Sequence, residues 1–312
     1  MVTDEYIIQT YDLTKKFGKT VAVDGLNLAV RRGEIFGLVG PDGAGKTTTI
    51  RLLTAIMDPT SGRAKVDGFD TVRQAEEIKK RIGYMAQRFN LYGDLSVLEN
   101  LNFFADIFAV RGWERKEQIS RLLEFARLTD FKERRAAHLS GGMQKKLALA
   151  CTLIHKPEVI FLDEPTTGVD PVSRREFWDI LSGLHIQGVT IFVSTPYMDE
   201  AERCSRIGFM YQGRIVNCAP PEEIKDMVSG ELLELRPENL RQARQLIAGL
   251  EGVLEVQTYG ELLHVFVDSA DRRLPELEAT LNRNGLPFAG LRRIRPRMEE
   301  AFISLIRTRH GE

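Results

Sequence analysis

One short segment constrains the fold of this chain more than any other, the glycine-rich run at residues 40–47. It reads Gly-Pro-Asp-Gly-Ala-Gly-Lys-Thr and fits the pattern G-x-x-x-x-G-K-[ST]. A strand-like apolar run from Glu34 to Val39 precedes it, and a helical pattern from Thr48 to Met57 follows it. Glycines let the backbone curl so that successive N–H groups point into one concavity, and the helix N-terminus adds its positive dipole end. The segment therefore predicts a phosphate-binding loop between a strand and a helix of an α/β fold.

Each residue of this loop is a candidate for contact with the phosphates of a nucleotide. We expect Lys46 to reach the β- and γ-phosphates, the Thr47 hydroxyl to bind Mg²⁺, and Thr48 to lie near the α-phosphate. The full candidate set is Gly40, Pro41, Asp42, Gly43, Ala44, Gly45, Lys46, Thr47 and Thr48.

A second segment supplies carboxylates for the same site. The run Val159-Ile-Phe-Leu-Asp163-Glu164 has four apolar residues of a buried strand that ends in two adjacent acids. Ligands of open α/β sheets bind at the carboxyl ends of the strands, so both acids are expected beside the phosphate loop. We expect Asp163 to bind Mg²⁺ through water. Glu164, which points the other way by strand alternation, is expected to orient and deprotonate an attacking water.

The order of elements predicts two domains. The first 220 residues alternate short β-rich runs with longer helical patterns, which is typical of a mostly parallel sheet flanked by helices. Helical periodicity alone fills the interval from about residue 84 to 155, which predicts an all-helical insertion. After Pro220-Pro221, the order βαββαβ predicts a small ferredoxin-like α+β domain. We expect a first domain over residues 1–228 and a second over residues 229–312.

Composition excludes several classes of partner. Forty-three Lys and Arg residues against 44 Asp and Glu leave a net charge of −1, so no general attraction to nucleic acid or anionic lipid is expected. No run approaches the roughly 18 apolar residues of a membrane helix. The N-terminus lacks a signal-peptide pattern, so we expect a cytosolic chain. The three cysteines have neither an even count nor metal-ligand spacing, and we expect them to be reduced.

The segment Leu139-Ser-Gly-Gly-Met143, at the start of a helical pattern, narrows the choice among phosphate-loop proteins. It resembles the LSGGQ signature of ATP-binding cassette (ABC) ATPases, and the other motifs follow in the order of that family. The resemblance spans about 220 residues and implies an ABC cassette, an α/β core with an antiparallel β subdomain and a helical insertion. It also implies that Ser140, Gly141 and Gly142 contact the γ-phosphate of ATP bound on an opposing cassette.

Three further residues match motifs of the ABC family. Phe17, within Lys15-Lys-Phe-Gly18, matches the aromatic on which adenine stacks, although a single Phe taken alone is more typical of a core. Gln87 matches the glutamine that senses Mg²⁺ and the attacking water, and Asp170 matches the dimer-contact loop. The resemblance therefore implies ATP and Mg²⁺ as cofactors. The implied metal ligands are Thr47, Gln87 and Asp163, and the implied catalytic residues are Lys46, Gln87 and Glu164.

Two positions depart from the family pattern. Met143 replaces the final glutamine of the signature and leaves the backbone N–H donors intact. Pro196 stands where most of the family has a histidine that bonds the γ-phosphate, and proline offers neither an imidazole nor a backbone N–H. We expect the chain's own site to bind ATP and hydrolyse it slowly. The alternative is ordinary turnover through a repositioned water or another side chain.

The C-terminal segment Arg295-Pro-Arg-Met-Glu-Glu-Ala-Phe302 resembles the end of daunorubicin-resistance-type exporter ATPases, which carry a P-x-x-E-x-x-F motif. The resemblance implies export of drugs, lipids or polysaccharides through integral-membrane subunits. A second cassette, identical or different, is implied as well, and the chain would lie on the inner face of the cell membrane.

The absence of the histidine at Pro196 makes the cassette similar to the first half of fused two-cassette drug-efflux ATPases. An arginine cluster either contacts anionic lipid or forms a solvated face; it comprises Arg292, Arg293, Arg295 and Arg297.

A surface for membrane subunits is expected just after Gln87. We expect a mixed aromatic and basic surface there, whose residues would receive a coupling helix; alternatively, its aromatic residues are buried within the helical insertion. The candidates are Phe89, Leu91, Tyr92, Phe103, Phe104 and Phe108. Two other functions stay open: a degenerate or regulatory ATP-binding subunit, which Pro196 supports, and a soluble ABC ATPase acting on ribosomes or DNA. The second usually carries two cassettes with a basic linker, or a coiled-coil insertion, and neither pattern is seen, so nucleic acid is not an expected partner.

Overall fold

The computed structural model describes residues 5–88, 91–228 and 230–310. Contacts divide the chain into two compact units, residues 1–220 and residues 221–312. The boundary lies before Pro221 rather than after Val228, because the short helix at Pro221–Asp226 packs on the helix at Met298–His310. Phe89, a candidate for partner contact, lies outside the described residues.

A four-stranded antiparallel sheet occupies the start of the N-terminal unit. Its strands are β1 (Tyr6–Phe17), β2 (Thr20–Arg31), β4 (Ser61–Val66) and β5 (Phe69–Asp70). They lie in the order β2-β1-β4-β5. Ile8, Leu28 and Val66 from these strands share one core with Phe36 and Leu38 of the second sheet. This sheet is the antiparallel β subdomain that the family resemblance implies.

The second sheet of the N-terminal unit has six strands and is mostly parallel. They are β3 (Ile35–Val39), β6 (Ile82–Met85), β7 (Val159–Asp163), β8 (Thr190–Thr195), β9 (Arg206–Tyr211) and β10 (Arg214–Ala219). Their order is β10-β9-β3-β8-β7-β6, with only β10 antiparallel to its neighbour. Every residue of β3, β7 and β8 is buried, as expected for parallel strands covered on both faces.

The described helices of the N-terminal unit lie between its strands along the chain. They are α1 (Lys46–Leu53), α2 (Ala75–Arg81), α3 (Val97–Ile107), α4 (Gly112–Phe125), α5 (Gly141–Thr152), α6 (Pro171–Ile186) and α7 (Met198–Ala201), with 3₁₀ turns at Thr129–Phe131 and Ala136–His138. Helices α3 to α5 form the helical insertion. Its expected start at Tyr84 is wrong, because Tyr84 lies within β6 and pairs with Phe161 of β7. Among the helices of the described ranges, none is both long and apolar enough to cross a membrane.

The C-terminal unit has the expected ferredoxin-like arrangement. Its elements are α8 (Pro221–Asp226), β11 (Glu231–Pro237), α9 (Leu240–Ile247), β12 (Val253–Tyr259), β13 (Leu262–Val267), α10 (Ala270–Arg283), β14 (Phe288–Ile294) and α11 (Met298–His310). The sheet is antiparallel, in the order β12-β13-β11-β14. Leu233 and Val265 of the sheet form a core with Leu277 of α10. His264 points to the opposite face, where it hydrogen-bonds Glu300 of α11 at 3.0 Å.

The three cysteines are free thiols, in agreement with the expectation that they are reduced. Cys151 and Cys204 are buried and Cys218 is half-buried. Burial raises the pKa of all three thiols above that of an exposed cysteine.

Candidate active site

The phosphate loop connects β3 to α1, and its shape depends on glycine. Gly43 and Gly45 have φ angles of +77° and +108°, in the left-handed region that other residues rarely adopt. A Cβ on Gly40 would lie 2.1 Å from the carbonyl oxygen of Met210, and a Cβ on Gly45 would lie 2.2 Å from that of Ala22. The loop is therefore held against β9 and β2 in a conformation that a larger residue would disrupt.

All nine candidate residues of the loop lie in this turn or in the first turn of α1. The helix begins at Lys46 rather than at Thr48, because Gly45 forms its N-cap. The first N–H groups of a helix have no partner within the helix and carry its positive dipole end. The Lys46 ammonium donates to the carbonyl oxygens of Gly40 at 2.8 Å and Pro41 at 3.1 Å. The positive charge of Lys46 therefore adds to that of the free N–H groups at the start of α1, and both favour binding of a phosphate anion.

Asp163 ends β7 with its carboxylate buried beside the loop. Its Oδ1 accepts hydrogen bonds from the hydroxyls of Thr47 at 3.1 Å and Ser194 at 2.7 Å. Its Oδ2 is buried and has no hydrogen-bond partner among the described residues. Burial raises the pKa of this carboxyl, and the two hydrogen bonds oppose that rise. A carboxylate oxygen that lacks a donor, next to a hydroxyl, fits a hard divalent cation such as Mg²⁺.

Glu164 follows in a left-handed backbone conformation with φ of +46°, which costs a non-glycine residue about 1–3 kcal/mol. Its N–H group donates to the backbone oxygen and the hydroxyl of Ser194, both at 3.1 Å. The carboxylate lies 3.2 Å from the Lys46 ammonium and accepts a hydrogen bond from the Gln87 amide at 2.9 Å. The structure thus brings Lys46, Gln87 and Glu164 together from three elements that are distant in sequence.

Phe17 ends β1 and is 48% exposed, so it is not a core residue. The Lys15 ammonium lies 5.3 Å from the centroid of its ring. Ala22, which contacts the phosphate loop, lies on the neighbouring strand of the same hairpin. An exposed ring in this hairpin suits stacking with an adenine base, and that role stays a prediction.

The signature residues lie at the N-terminus of α5, beside α6. Ser140 is the N-cap of α5, and its hydroxyl accepts the Met143 N–H at 3.3 Å. Gly141 is exposed. A Cβ on the buried Gly142 would lie 2.4 Å from the Ser173 hydroxyl of α6. Close packing of α5 on α6 therefore explains the second glycine of the signature.

Asp170 caps α6, next to the signature. Its carboxylate accepts the N–H groups of Ser173 at 2.9 Å and Val172 at 3.1 Å. These backbone hydrogen bonds, the Ser173 bond above all, lower the pKa of Asp170. Within the described residues, no hydrogen bond or ion pair joins Asp170 or the signature to residues 40–48. The predicted site residues therefore form two separate groups on one chain.

Comparison with known proteins assigns the family. A family model described as ABC transporter matches residues 23–167. The daunorubicin resistance ATP-binding protein DrrA2 of Streptomyces coeruleorubidus is 35% identical to this chain, over 97% of it and 95% of the relative. The chain belongs to the ABC transporter ATP-binding proteins. The Nod factor export ATP-binding protein I of Cupriavidus metallidurans is 36% identical over 96% of this ABC protein and 97% of its own length.

A longer relative matches part of its length, and solved cassette structures share the fold of this chain. The probable multidrug ABC transporter ATP-binding protein YbhF of Escherichia coli is 46% identical over 71% of the chain, which covers 38% of that relative. The structure of cbiO1 from Clostridium perfringens, part of the ABC transporter complex cbiONQ, has a TM-score of 0.66 at 27% identity and covers 72% of this chain and 92% of cbiO1. The dimeric structure of another ATP-binding cassette in a post-hydrolysis state, bound to ADP and Pi, has a TM-score of 0.62 at 28% identity. It covers 68% of this chain and 98% of that cassette. The expected cassette fold is confirmed.

Sequence reasoning missed two residues of this ABC cassette that lie directly before Pro196 and contact the candidate site. Ser194 is paired with Asp163 in the parallel register of β7 and β8, which places its hydroxyl on the carboxylate. Thr195 donates from its hydroxyl to Glu200 at 2.7 Å, and its carbonyl accepts the Gly40 N–H at 3.4 Å. No local motif marks these residues, because the register between two strands sets their positions.

Proposed function

We propose that this ABC cassette binds and hydrolyses ATP to drive export through separate integral-membrane subunits. The observation that carries the proposal is the contact of the buried Lys46 and Glu164 with the amide of Gln87, beside Thr47 and Asp163. A phosphate cradle, a cation site and a carboxylate base close to one another are what phosphoryl transfer to water requires. Relatives named for daunorubicin resistance, Nod factor export and multidrug transport support a drug-like or lipidic substrate.

Each polar group of the cluster has a role in the proposed reaction. The N–H groups at the start of α1 and the Lys46 ammonium bind the phosphates of ATP, and adenine stacks on Phe17. Residues Thr47, Gln87 and Asp163 would hold Mg²⁺, which neutralises charge on the phosphate oxygens when it is bound. Glu164 accepts a proton from the attacking water, and the amide of Gln87 holds the Glu164 carboxylate in place.

A second cassette completes the proposed site. The hydroxyl of Ser140 and the N–H groups of Gly141 and Gly142 would bind the γ-phosphate of ATP held by the facing cassette, and Asp170 would lie at the dimer contact. A head-to-tail pair encloses two ATP molecules, and its members are two copies of this chain or this chain and a different cassette. Closure around ATP moves the membrane subunits, and hydrolysis resets the pair.

The membrane subunits are proposed to bind at the segment that follows β6. Tyr92 is 49% exposed, and its ring packs edge-on against Phe103 with 4.5 Å between centroids. Phe103 packs in turn against Phe104 at 5.5 Å, and both are half-buried with Phe108. The exposed Tyr92 therefore supports a docking surface, whereas the three phenylalanines also belong to the packing of the helical insertion. This docking would hold the chain at the inner face of the membrane.

Pro196 favours a second candidate function, a cassette that binds ATP and leaves most hydrolysis to its partner. The proline side chain has no donor or acceptor for a γ-phosphate. Glu164 is retained, and its carboxylate contacts Gln87 and Lys46, which supports residual turnover. The two candidates therefore differ in the rate of hydrolysis at this chain's own site.

Phosphate release by the purified full-length chain tests the proposal. We expect slow turnover, below about 1 s⁻¹ at saturating MgATP. Glu164→Gln is expected to reduce it about 100-fold, with the affinity for a fluorescent ATP analogue changed by less than about twofold. The control is Glu158→Gln, an exposed glutamate just before β7, which should leave both unchanged. Turnover of tens per second would remove the degenerate-site candidate, and equal turnover in E164Q and wild type would contradict the role of Glu164.

A further inference from the structure

A buried carboxylate outside the predicted site lies close to Pro196. Glu200 of α7 is 2% exposed. It accepts hydrogen bonds from the hydroxyl of Thr166 at 2.6 Å and from that of Thr195 at 2.7 Å. The Nε of Arg174 in α6 lies 3.7 Å from the same carboxylate. We call Thr166, Arg174, Thr195 and Glu200 the Glu200 clamp. A buried charge is costly unless its partners stay in place, so the clamp fixes these four positions relative to one another.

The clamp holds the main chain on both sides of Pro196. Thr195 precedes the proline, and its hydroxyl donates to Glu200 while it accepts the Tyr197 N–H at 3.1 Å. The guanidinium of Arg174 lies 4.8 Å above the ring of Tyr197. Proline fixes its own φ angle. The segment Thr195–Tyr197 is therefore tied to one buried carboxylate through contacts before and after the proline.

The same segment contacts both the phosphate loop and the strand end that carries the two carboxylates. The Thr195 carbonyl accepts the N–H of Gly40, the first residue of the phosphate loop. Ser194, one residue earlier, bonds Asp163 and the Glu164 N–H. Thr166, the other hydroxyl of the clamp, follows Glu164 by two residues in the chain. A shift of this segment would therefore move the phosphate cradle relative to the two carboxylates.

We propose that Glu200 is a positioning residue for ATP hydrolysis, which holds the Pro196 segment in register with Asp163 and Glu164. The inference rests on the proposed function. Glu200 itself contacts no reacting group and acts through Thr166 and Thr195. Because the side chain of Pro196 makes no hydrogen bond, the position of this segment depends on the clamp.

The neighbouring residues Glu200 and Asp199 provide a matched pair of variants. Both lie in α7 and both pair with Arg174, but the Asp199 side chain is 64% exposed, and its pair at 2.6 Å is a surface contact. We expect Glu200→Gln to lower kcat about tenfold or more, with KM for MgATP changed by less than about twofold. Asp199→Asn is expected to keep kcat within about twofold. Equal kcat values in the two variants, or an effect of E200Q on KM alone, would overturn the proposal.

Two isosteric variants keep the test independent of the folding of E200Q. Thr166→Val and Thr195→Val each remove one hydroxyl of the clamp and retain Glu200 and Arg174. We expect each to lower kcat at least about threefold without a matching rise in KM. Wild-type kcat in both variants would show that the clamp does not position the site.

Hydrogen exchange of the full-length chain gives a readout that does not depend on turnover. The Tyr197 N–H is bonded to Thr195, so its exchange should accelerate at least about tenfold in E200Q and T195V and stay unchanged in D199N. Unchanged exchange in E200Q would overturn the clamp even where kcat falls. Absence of any ATP hydrolysis by the wild-type chain would instead count against the proposed function, and the exchange pattern would still report on Glu200.

Discussion

At the scale of single residues, unusual backbone conformations place the candidate chemistry. Gly45 at φ +108° turns the chain into α1, and Glu164 at φ +46° turns it out of β7. Glycine adopts its angle without strain, whereas Glu164 keeps a strained angle because Ser194 accepts its N–H twice. A glycine at position 164 would relieve the strain and remove the proposed base. Backbone strain and the proposed catalytic carboxylate therefore lie in one residue.

Replacement of loop glycines should separate strain from steric overlap. Gly45→Ala combines a left-handed φ angle with a Cβ 2.2 Å from the Ala22 oxygen, whereas a Cβ on Gly43 meets nothing within 4 Å. We expect G45A to lower the free energy of unfolding by about 3 kcal/mol and G43A by about 1 kcal/mol. Urea unfolding measures both values, and equal losses would contradict the importance of the Ala22 contact.

At the scale of elements, one buried polar pair fastens the last helix to its sheet. The exporter-type motif contains Glu299, but that residue is exposed, and the buried Glu300 bonds His264 of β13. Glu300 also accepts the Arg297 N–H at 2.7 Å and so caps α11.

In the arginine cluster, Arg292 and Arg293 pair with Glu234 and Glu231. These pairs leave less positive charge for anionic lipid and favour a solvated face.

Adjacent glutamates in α11 test this fastening. Glu300→Ala would leave the Nδ1 atom of His264 buried without its hydrogen-bond partner, so we expect the local stability of the C-terminal unit to fall by about 1–3 kcal/mol. Glu299→Ala alters an exposed residue and should cost less than about 0.5 kcal/mol. Hydrogen exchange of the β13 amides in the full-length chain measures both. A comparable loss in E299A would assign the fastening to the motif glutamate instead.

Local sequence was enough to predict that a glycine-rich loop joins a strand to a helix and that Asp163 and Glu164 lie beside it. Glycine spacing and a strand ending in acids are patterns within one segment. The four-residue strand β6 was not predicted, since it follows the helical pattern of α2 without a break. Ser194 and Glu200 were not predicted for a different reason. Their roles depend on strand register and on contacts between residues about 30 positions apart, which no periodicity within a segment encodes.

At the scale of the whole molecule, the residues proposed to bind nucleotide lie in two separate groups on one chain. Its phosphate loop faces Asp163 and Glu164, while Ser140 and Gly141 lie at a separate, exposed helix start. A signature that binds phosphate must therefore bind the phosphate of another cassette. Assembly and catalysis depend on each other in this arrangement, because the ATP held by one chain would form part of the contact with the next.

Sedimentation velocity tests this dependence. E164Q with MgATP is expected to sediment as a dimer, because ATP stays bound at the interface. In the same background, Ser140→Arg should stay monomeric, since the larger side chain would occupy the position of the facing phosphate. Ser120→Arg, at an exposed position of α4, is the control and should dimerise. A monomer of E164Q that still binds ATP would show that the partner is a different cassette.

Two native thiols are buried and the third is half-buried, which has a practical consequence for measurements on the proposed pair of cassettes. The reactive form of cysteine is the thiolate, and burial disfavours it at Cys151, Cys204 and Cys218. The chain is therefore a low-background host for thiol-directed spin labels and fluorophores. A single cysteine introduced at exposed Ser120 would carry a probe without replacement of the native cysteines. In a dimer of this chain, the distance between the two probes would report opening and closing of the two cassettes.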